Sequence, residues 1–174
     1  PPLSLLELGT GSGIIAITLA LEAPDTEVHA VERSPEALAV AQQNANTLGA
    51  HRIHWHAGSW WQALARPRRF DLIVSNPPYI AAHDHHLQQG DLRFEPPQAL
   101  AAGPDGLDDL RILIGGAPAH LTPGGWLLLE HGYDQEAPVQ ALLRDAGFAD
   151  VFTRRDLAGQ PRVSGGRWQE DGRN

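Results

Sequence analysis

The sequence predicts an α/β protein, a doubly wound parallel sheet with helices on both faces. Two observations predict it. Short apolar runs alternate with helix-like segments of ten to fifteen residues, the pattern that crossover connections impose on parallel strands. The first of those runs also opens into Gly9-Thr10-Gly11-Ser12-Gly13, a glycine turn between a strand and a helix.

Each element follows from its residues. Leu3 to Leu8 is a short, largely apolar run broken by Gly9, which suits a strand buried on both faces. Ile14 to Leu21 is an apolar helix ended by Pro24, and Glu27 to Glu32, with Val28 and Val31, a second strand. Ser34-Pro35-Glu36 opens the next helix: Ser34 caps it, Pro35 lacks an N–H where none is needed, and Glu36 faces the positive dipole end. That helix stops at Gly49. Arg52 to His56 and Phe70 to Ser75 are the third and fourth strands. Leu107 to Leu121 is expected to be helical, although Gly115, Gly116 and Pro118 weaken its second half. After a turn at Pro123-Gly124-Gly125 come a strand from Trp126 to Glu130 and a helix from Gln135 to Ala146 stopped by Gly147. Asp150 to Arg154 and Arg162 to Arg167 are the final strands. Ala81 to Pro104 has no periodicity; loops of that length in a compact domain are usually functional or disordered.

Composition narrows the class. The 174 residues, 42% hydrophobic and 20% charged, suit one globular domain. No apolar run approaches a membrane span and no leader peptide is visible, so a cytoplasmic setting is the default expectation. The absence of cysteine excludes disulfides and thiolate metal sites. A net charge of −8, from 13 basic and 21 acidic residues, argues against a protein that grips nucleic acid by its phosphates. The opening Pro1-Pro2, without an initiator methionine, reads as a fragment of something longer.

Glycines beyond a strand's carboxyl end let backbone approach a ligand closely. Glu32 ends the second strand nineteen residues after Gly13, and a carboxylate there can accept from both ribose hydroxyls. Together these mark an adenosine site. They do not name the nucleoside, because Gly11-Ser12-Gly13-Ile14-Ile15-Ala16 also fits the dinucleotide pattern of nicotinamide enzymes. A tight turn without a ligand is the bland alternative.

Asn76-Pro77-Pro78-Tyr79 follows the fourth strand at the same edge of the sheet. Pro77 biases Asn76 towards extended backbone, and neither proline offers an N–H. An Asn side-chain oxygen and a neighbouring carbonyl make two acceptors for an NH2 group. Holding both hydrogens aims the nitrogen's electron pair at an electrophilic methyl, so the work asked of the protein is alignment. Tyr79 can pack on a planar substrate group. A plain strand terminus with Tyr79 in the core is the alternative, and a hydride-transfer site needs no such clamp.

Glu7-Leu8-Gly9-Thr10-Gly11-Ser12-Gly13, Glu32 and Asn76-Pro77-Pro78-Tyr79 resemble the Rossmann-like class I S-adenosylmethionine-dependent methyltransferases that act on exocyclic or amide nitrogens. Arg93-Phe94-Glu95-Pro96 with Ala99-Leu100, Asp105-Gly106-Leu107, Pro123-Gly124-Gly125, Leu128 to Gly132 with Gln135, Gly147-Phe148, Asp156 and Gly166-Arg167 look like the release factor glutamine methyltransferases. The resemblance covers Leu3 to Arg167. It implies a mostly parallel sheet with an antiparallel last strand, and a catalytic domain over residues 1–174 without the family's amino-terminal substrate-docking domain. It implies transfer of a methyl group from S-adenosyl-L-methionine to the glutamine amide nitrogen of the Gly-Gly-Gln motif in peptide chain release factors.

On that resemblance Glu7, Gly9, Thr10, Gly11, Ser12, Gly13, Glu32, Trp60 and Asn76 bind the cofactor, with Glu32 on the ribose and Trp60 beside the adenine. Asn76, Pro77, Pro78, Tyr79, Phe94 and Glu95 hold the substrate, and Asn76, Pro77 and Tyr79 are the catalytic group. The chain departs from the family at Ser59, where an acidic residue is common, and at Glu7, where Asp is commoner. No metal is expected: His83-Asp84-His85-His86 is contiguous, and adjacent side chains do not readily converge on one ion. Stable nucleic-acid or membrane partners are not expected either. Three alternatives remain: a methyltransferase of RNA or DNA amines, a nicotinamide-dependent oxidoreductase, and a binding module with a dead site.

Overall fold

Every expected strand forms, and all seven join one sheet. The computed structural model describes residues 2–77 and 106–170. Its strands are β1 (Ser4–Leu8), β2 (Glu27–Glu32), β3 (Ile53–Ala57), β4 (Phe70–Ser75), β5 (Leu121–Glu130), β6 (Ala149–Arg155) and β7 (Pro161–Arg167). Its helices are α1 (Ile14–Glu22), α2 (Pro35–Leu48), α3 (Asp108–Gly116) and α4 (Glu136–Asp145), with short 3-10 turns at Trp60–Ala63 and Ala117–His120. The strand order is β3-β2-β1-β4-β5-β7-β6. β1 to β5 pair in parallel, and β7 runs antiparallel to both β5 and β6. The α/β class, the parallel body and the antiparallel last strand are as the sequence and its resemblance led one to expect.

Successive residues of β1 and β2 serve opposite faces. Leu5, Val28 and Ala30 pack with Ala16 and Ile17 of α1 and Ala45 of α2. Leu6, Leu8 and Val31 join Ile73, Leu127 and Leu129 under Leu110 and Leu113 of α3 and Val139 and Leu143 of α4. This two-sided burial explains why the inner strands read as continuous apolar runs. The chain winds outward from β1 in one direction and from β4 in the other. Their shared edge is the switch point at which such sheets bind ligands.

Ser34 caps α2 as expected, its side chain accepting from the Ala37 amide at 3.2 Å. The segment from Leu107 to Leu121 departs from the expected single helix. α3 ends at Gly116, where a Cβ would stand 2.1 Å from Nε1 of Trp61, and Pro118 sits at the start of the 3-10 turn that follows. β5 begins at Leu121, earlier than expected. Leu121 pairs with Phe70 and Trp126 with Leu72, so Pro123-Gly124-Gly125 is an excursion inside the strand. The chain after β7 holds it: Gly124 N–H donates to the Trp168 carbonyl and Trp168 N–H to that of Gly125, both at 2.7 Å. Among the described residues, no helix is long and apolar enough to cross a membrane.

Candidate active site

Where β1 and β4 diverge, the glycine turn is tied to β2. The amides of Gly9 and Thr10 both donate to the Val31 carbonyl at 2.9 Å. Gly9 has φ +76°, and a Cβ there would meet the Trp60 ring at 3.1 Å, so the indole lies directly over the turn. Gly13 has φ +87°, and a Cβ there would press on Ala41 of α2 and Ile17 of α1 at 3.1 Å. The first glycine makes room for an aromatic ring, the last for helix packing.

Glu32 joins the turn to the next helix. One carboxylate oxygen accepts from Gly11 N–H at 2.9 Å and the other from Ser34 N–H at 2.8 Å. Each oxygen has a further lone pair to offer. Glu7 lies beneath, 2% exposed. It accepts from the Thr10 hydroxyl, in a short hydrogen bond, and from the Ala16 amide at 3.2 Å. Burial pushes its carboxyl up to about 7 against these two hydrogen bonds, and the nearby Glu32 adds to the rise.

The fourth strand delivers the tetrapeptide to the same place. Ser75 is buried, and its hydroxyl donates to the Leu8 carbonyl at 2.6 Å, locking the ends of β1 and β4 together. Asn76 follows, exposed, and Pro77 is buried. Pro78, Tyr79, Phe94 and Glu95 lie outside the described residues, as does His83-Asp84-His85-His86. A cavity of about 640 Å³ is lined by Glu7, Gly9, Thr10, Gly11, Ser12, Glu32, Ser59, Trp60 and Asn76. Apart from Gly13, which the lining does not include, every cofactor-site residue expected from the resemblance meets at this one cavity. A larger cavity of about 900 Å³, lined by Leu5, Leu72, Leu128 and Phe152, lies at the strands' amino ends and takes in none of these residues.

The lining also holds a side chain that the sequence did not mark. Asp109, in the first turn of α3, accepts from Trp60 Nε1 at 3.1 Å. Trp60 has φ +41°, unusual for a bulky residue, so its position is held by this bond and by the ring's contact with Gly9. Beside it, Trp61 donates to the Ile112 carbonyl at 3.1 Å and stacks on His120. The Leu128-to-Gly132 stretch with Gln135 does structural work. Gln135 accepts from Gly132 N–H at 2.8 Å and donates to the Gly106 carbonyl at 3.2 Å, fixing the chain where it enters α3. His131, fully buried, bonds Ser164 at 2.7 Å, and burial holds its pKa below the usual histidine value.

A switch-point cavity with a glycine turn, a carboxylate closing β2 and Asn-Pro after β4 is the site of a Rossmann-like methyltransferase fold. The chain belongs to the methyltransferase small domain family, whose model matches residues 3–95. Within that class, curated relatives of the chain carry the name release factor glutamine methyltransferase, in agreement with the resemblance read from the motifs. The protein of that name from Xylella fastidiosa (strain Temecula1) is 56% identical over 161 residues, 92% of this chain and 58% of the relative. That from Bordetella pertussis is 56% identical over 162 residues, 93% and 60%. The chain thus spans less than two thirds of these curated relatives. Among solved structures, a methyltransferase from Pyrococcus furiosus matches with a TM-score of 0.72 at 20% identity, covering 97% of this chain and 76% of that one. A ribosomal protein L11 methylase from Lactobacillus delbrueckii gives 0.68 at 23% identity, covering 98% and 72%.

Proposed function

We propose that this chain is the catalytic domain of a cytoplasmic S-adenosylmethionine-dependent methyltransferase that modifies the side-chain amide nitrogen of the Gly-Gly-Gln glutamine in peptide chain release factors. The observation that supports the reading is the Ser75–Leu8 hydrogen bond at the ends of β4 and β1, next to Asn76 in the lining of the cavity that the glycine turn and Glu32 share. The names of the relatives supply the substrate class.

The cavity residues suit the cofactor. Glu32 keeps lone pairs for ribose hydroxyls while the Gly11 and Ser34 amides hold it. Trp60 offers a ring to a base. Glu7, buried and resisting ionisation, gains from a cationic neighbour. S-adenosylmethionine, when bound, supplies an electrophilic methyl on a sulfonium.

This chain's residues supply alignment. Asn76 Oδ1 and an adjacent carbonyl accept the two amide N–H groups and favour the geometry in which the nitrogen pair is more available, a gain made in the transition state. A strong base is unnecessary, because the cationic N-methylated amide first formed on methyl transfer is a strong acid and gives its surplus N–H proton to water. The net negative charge supports a protein substrate over nucleic acid.

The test is incubation with methyl-labelled S-adenosylmethionine and a release factor, with the label mapped by mass spectrometry. Label on the glutamine is the expected result; label on RNA with none on glutamine overturns the reading. Asn76→Ala should slow transfer by about a hundredfold or more, a far larger effect than any on cofactor affinity. A fully active variant would remove the clamp.

A further inference from the structure

A second constellation lies at the other end of β2, where Glu27 and His29 share one face. His54 and His56 of the edge strand β3 alternate beside them, with His29 paired directly to His54 in the sheet register. His29 Nε2 is 2.9 Å from Glu27 Oε1 and His54 Nε2 is 3.8 Å from the same oxygen. The His29 and His54 rings stack at 4.4 Å and 15°. Glu27, His29 and His54 each offer one ligand atom, and the three atoms lie within 4.8 Å of one another.

We infer that Glu27, His29 and His54 form a divalent-metal site, suited to Zn2+, that staples edge strand β3 to β2. Ligands at zinc distances of 2.0–2.2 Å in a tetrahedron lie about 3.3 Å apart, a separation that the 2.9 and 3.8 Å contacts bracket. Two imidazoles and a carboxylate leave a fourth position, and the exposed His54 opens it to water.

His56 is the orienting partner, its Nε2 2.8 Å from His29 Nδ1. Without metal, His29 donates its Nε2 proton to Glu27 and accepts from His56. With zinc on Nε2, the His29 proton sits on Nδ1 and donates to His56, whose own proton moves to Nδ1; the neutral pair loses none. Such a second hydrogen bond fixes the tautomer of a ligating histidine. Arg68 competes, 2.7 Å from Glu27 Oε1. It is 40% exposed and able to withdraw, and a carboxylate has lone pairs for both.

This inference is independent of the proposed methyl transfer, and titration with zinc chloride tests it. Calorimetry should give one site, and Tm should rise by about 5–10 °C at a hundredfold excess over Kd. Co2+ should give the visible absorption of a low-coordinate site with two nitrogen ligands. His54→Ala, at an exposed position, should leave the circular dichroism unchanged and weaken zinc at least tenfold. Arg68→Ala should tighten it severalfold. Replacing His83, His85 and His86 together by Ala should change nothing. Absence of micromolar binding, His54→Ala binding like wild type, or loss of the site in the triple variant would each overturn the inference.

Discussion

At the carboxyl end of β1, Glu7 is almost wholly buried and is met by a hydroxyl and an amide. At the amino end of β2, Glu27 is 31% exposed and is met by Arg68 at 2.7 Å and His29 at 2.9 Å. The first carboxyl is pushed up to about 7; the second is held below the usual range, chiefly by the His29 hydrogen bond. Two glutamates on adjacent strands of one sheet are thus opposite kinds of site. The protein pairs Glu27 with its own cation, Arg68. Among the described residues no ion pair reaches Glu7, although Arg33 lines the same cavity. A cavity offering carboxylates and backbone, with a ring to one side, suits the cationic nucleoside proposed above.

The largest expected effect breaks the comparison at Glu7. Unfolded, this carboxyl ionises near 4.5; folded, near 7. Between those values the folded chain holds more protons, so stability falls as pH rises through the window and levels off above it. The difference corresponds to on the order of 3 kcal/mol. Glu7→Gln keeps the acceptor for Thr10 and removes the charge, so urea unfolding from pH 4.5 to 8 should lose that slope. The variant should be more stable than wild type at pH 8. Equal slopes would show that Glu7 ionises as an ordinary carboxyl. In wild type at pH 6.5, S-adenosylmethionine should release a proton on binding, read by calorimetry in buffers of different ionisation enthalpy.

These two environments were unequally legible in sequence. The glycine turn, Glu32 and Asn76 are local: each lies at the end of an apolar run, and the sheet order carries all three to one edge. Ser34 was legible because capping depends on near neighbours alone. Asp109 was not, since an acid in a helix's first turn already satisfies the dipole and nothing local says that Trp60 lies against it. Pro123-Gly124-Gly125 read as a boundary because its strand partner is not its neighbour in the chain. The alternations Glu27-x-His29 and His54-x-His56 were visible in the sequence. Only the β2–β3 register sets His29 against His54, whereas contiguous His83-Asp84-His85-His86 drew the eye.

A smaller effect sharpens what the ligand end requires. Gly9→Ala meets two penalties, a left-handed φ of +76° and a Cβ 3.1 Å from the Trp60 ring. Gly159 has φ +81° with nothing within 4 Å of a built Cβ. Gly159→Ala should therefore cost only the backbone term, about 1–2 kcal/mol. Gly9→Ala should cost more and shift the Trp60 fluorescence. The difference between the two, read from chemical unfolding, isolates the ring contact. It should be accompanied by weaker cofactor binding at Gly9 alone.

The smallest effect belongs to Glu27, and its sign is opposite. A carboxyl held below its ordinary value stabilises the fold above pH 4.5 and loses that contribution as pH falls through its folded pKa. Because Glu27 is substantially exposed, solvent and salt reduce the effect to less than about 1 kcal/mol. Glu27→Gln, measured without metal, should therefore destabilise slightly at pH 7 and converge with wild type below pH 4. Raising salt to about 0.5 M should reduce the difference, since the exposed Arg68 pair is screened within a few ångströms. The Glu7 slope arises mainly from burial and should survive the same salt. A Glu27 effect that persists in high salt would place that carboxylate in a dry environment and collapse the contrast between the two ends.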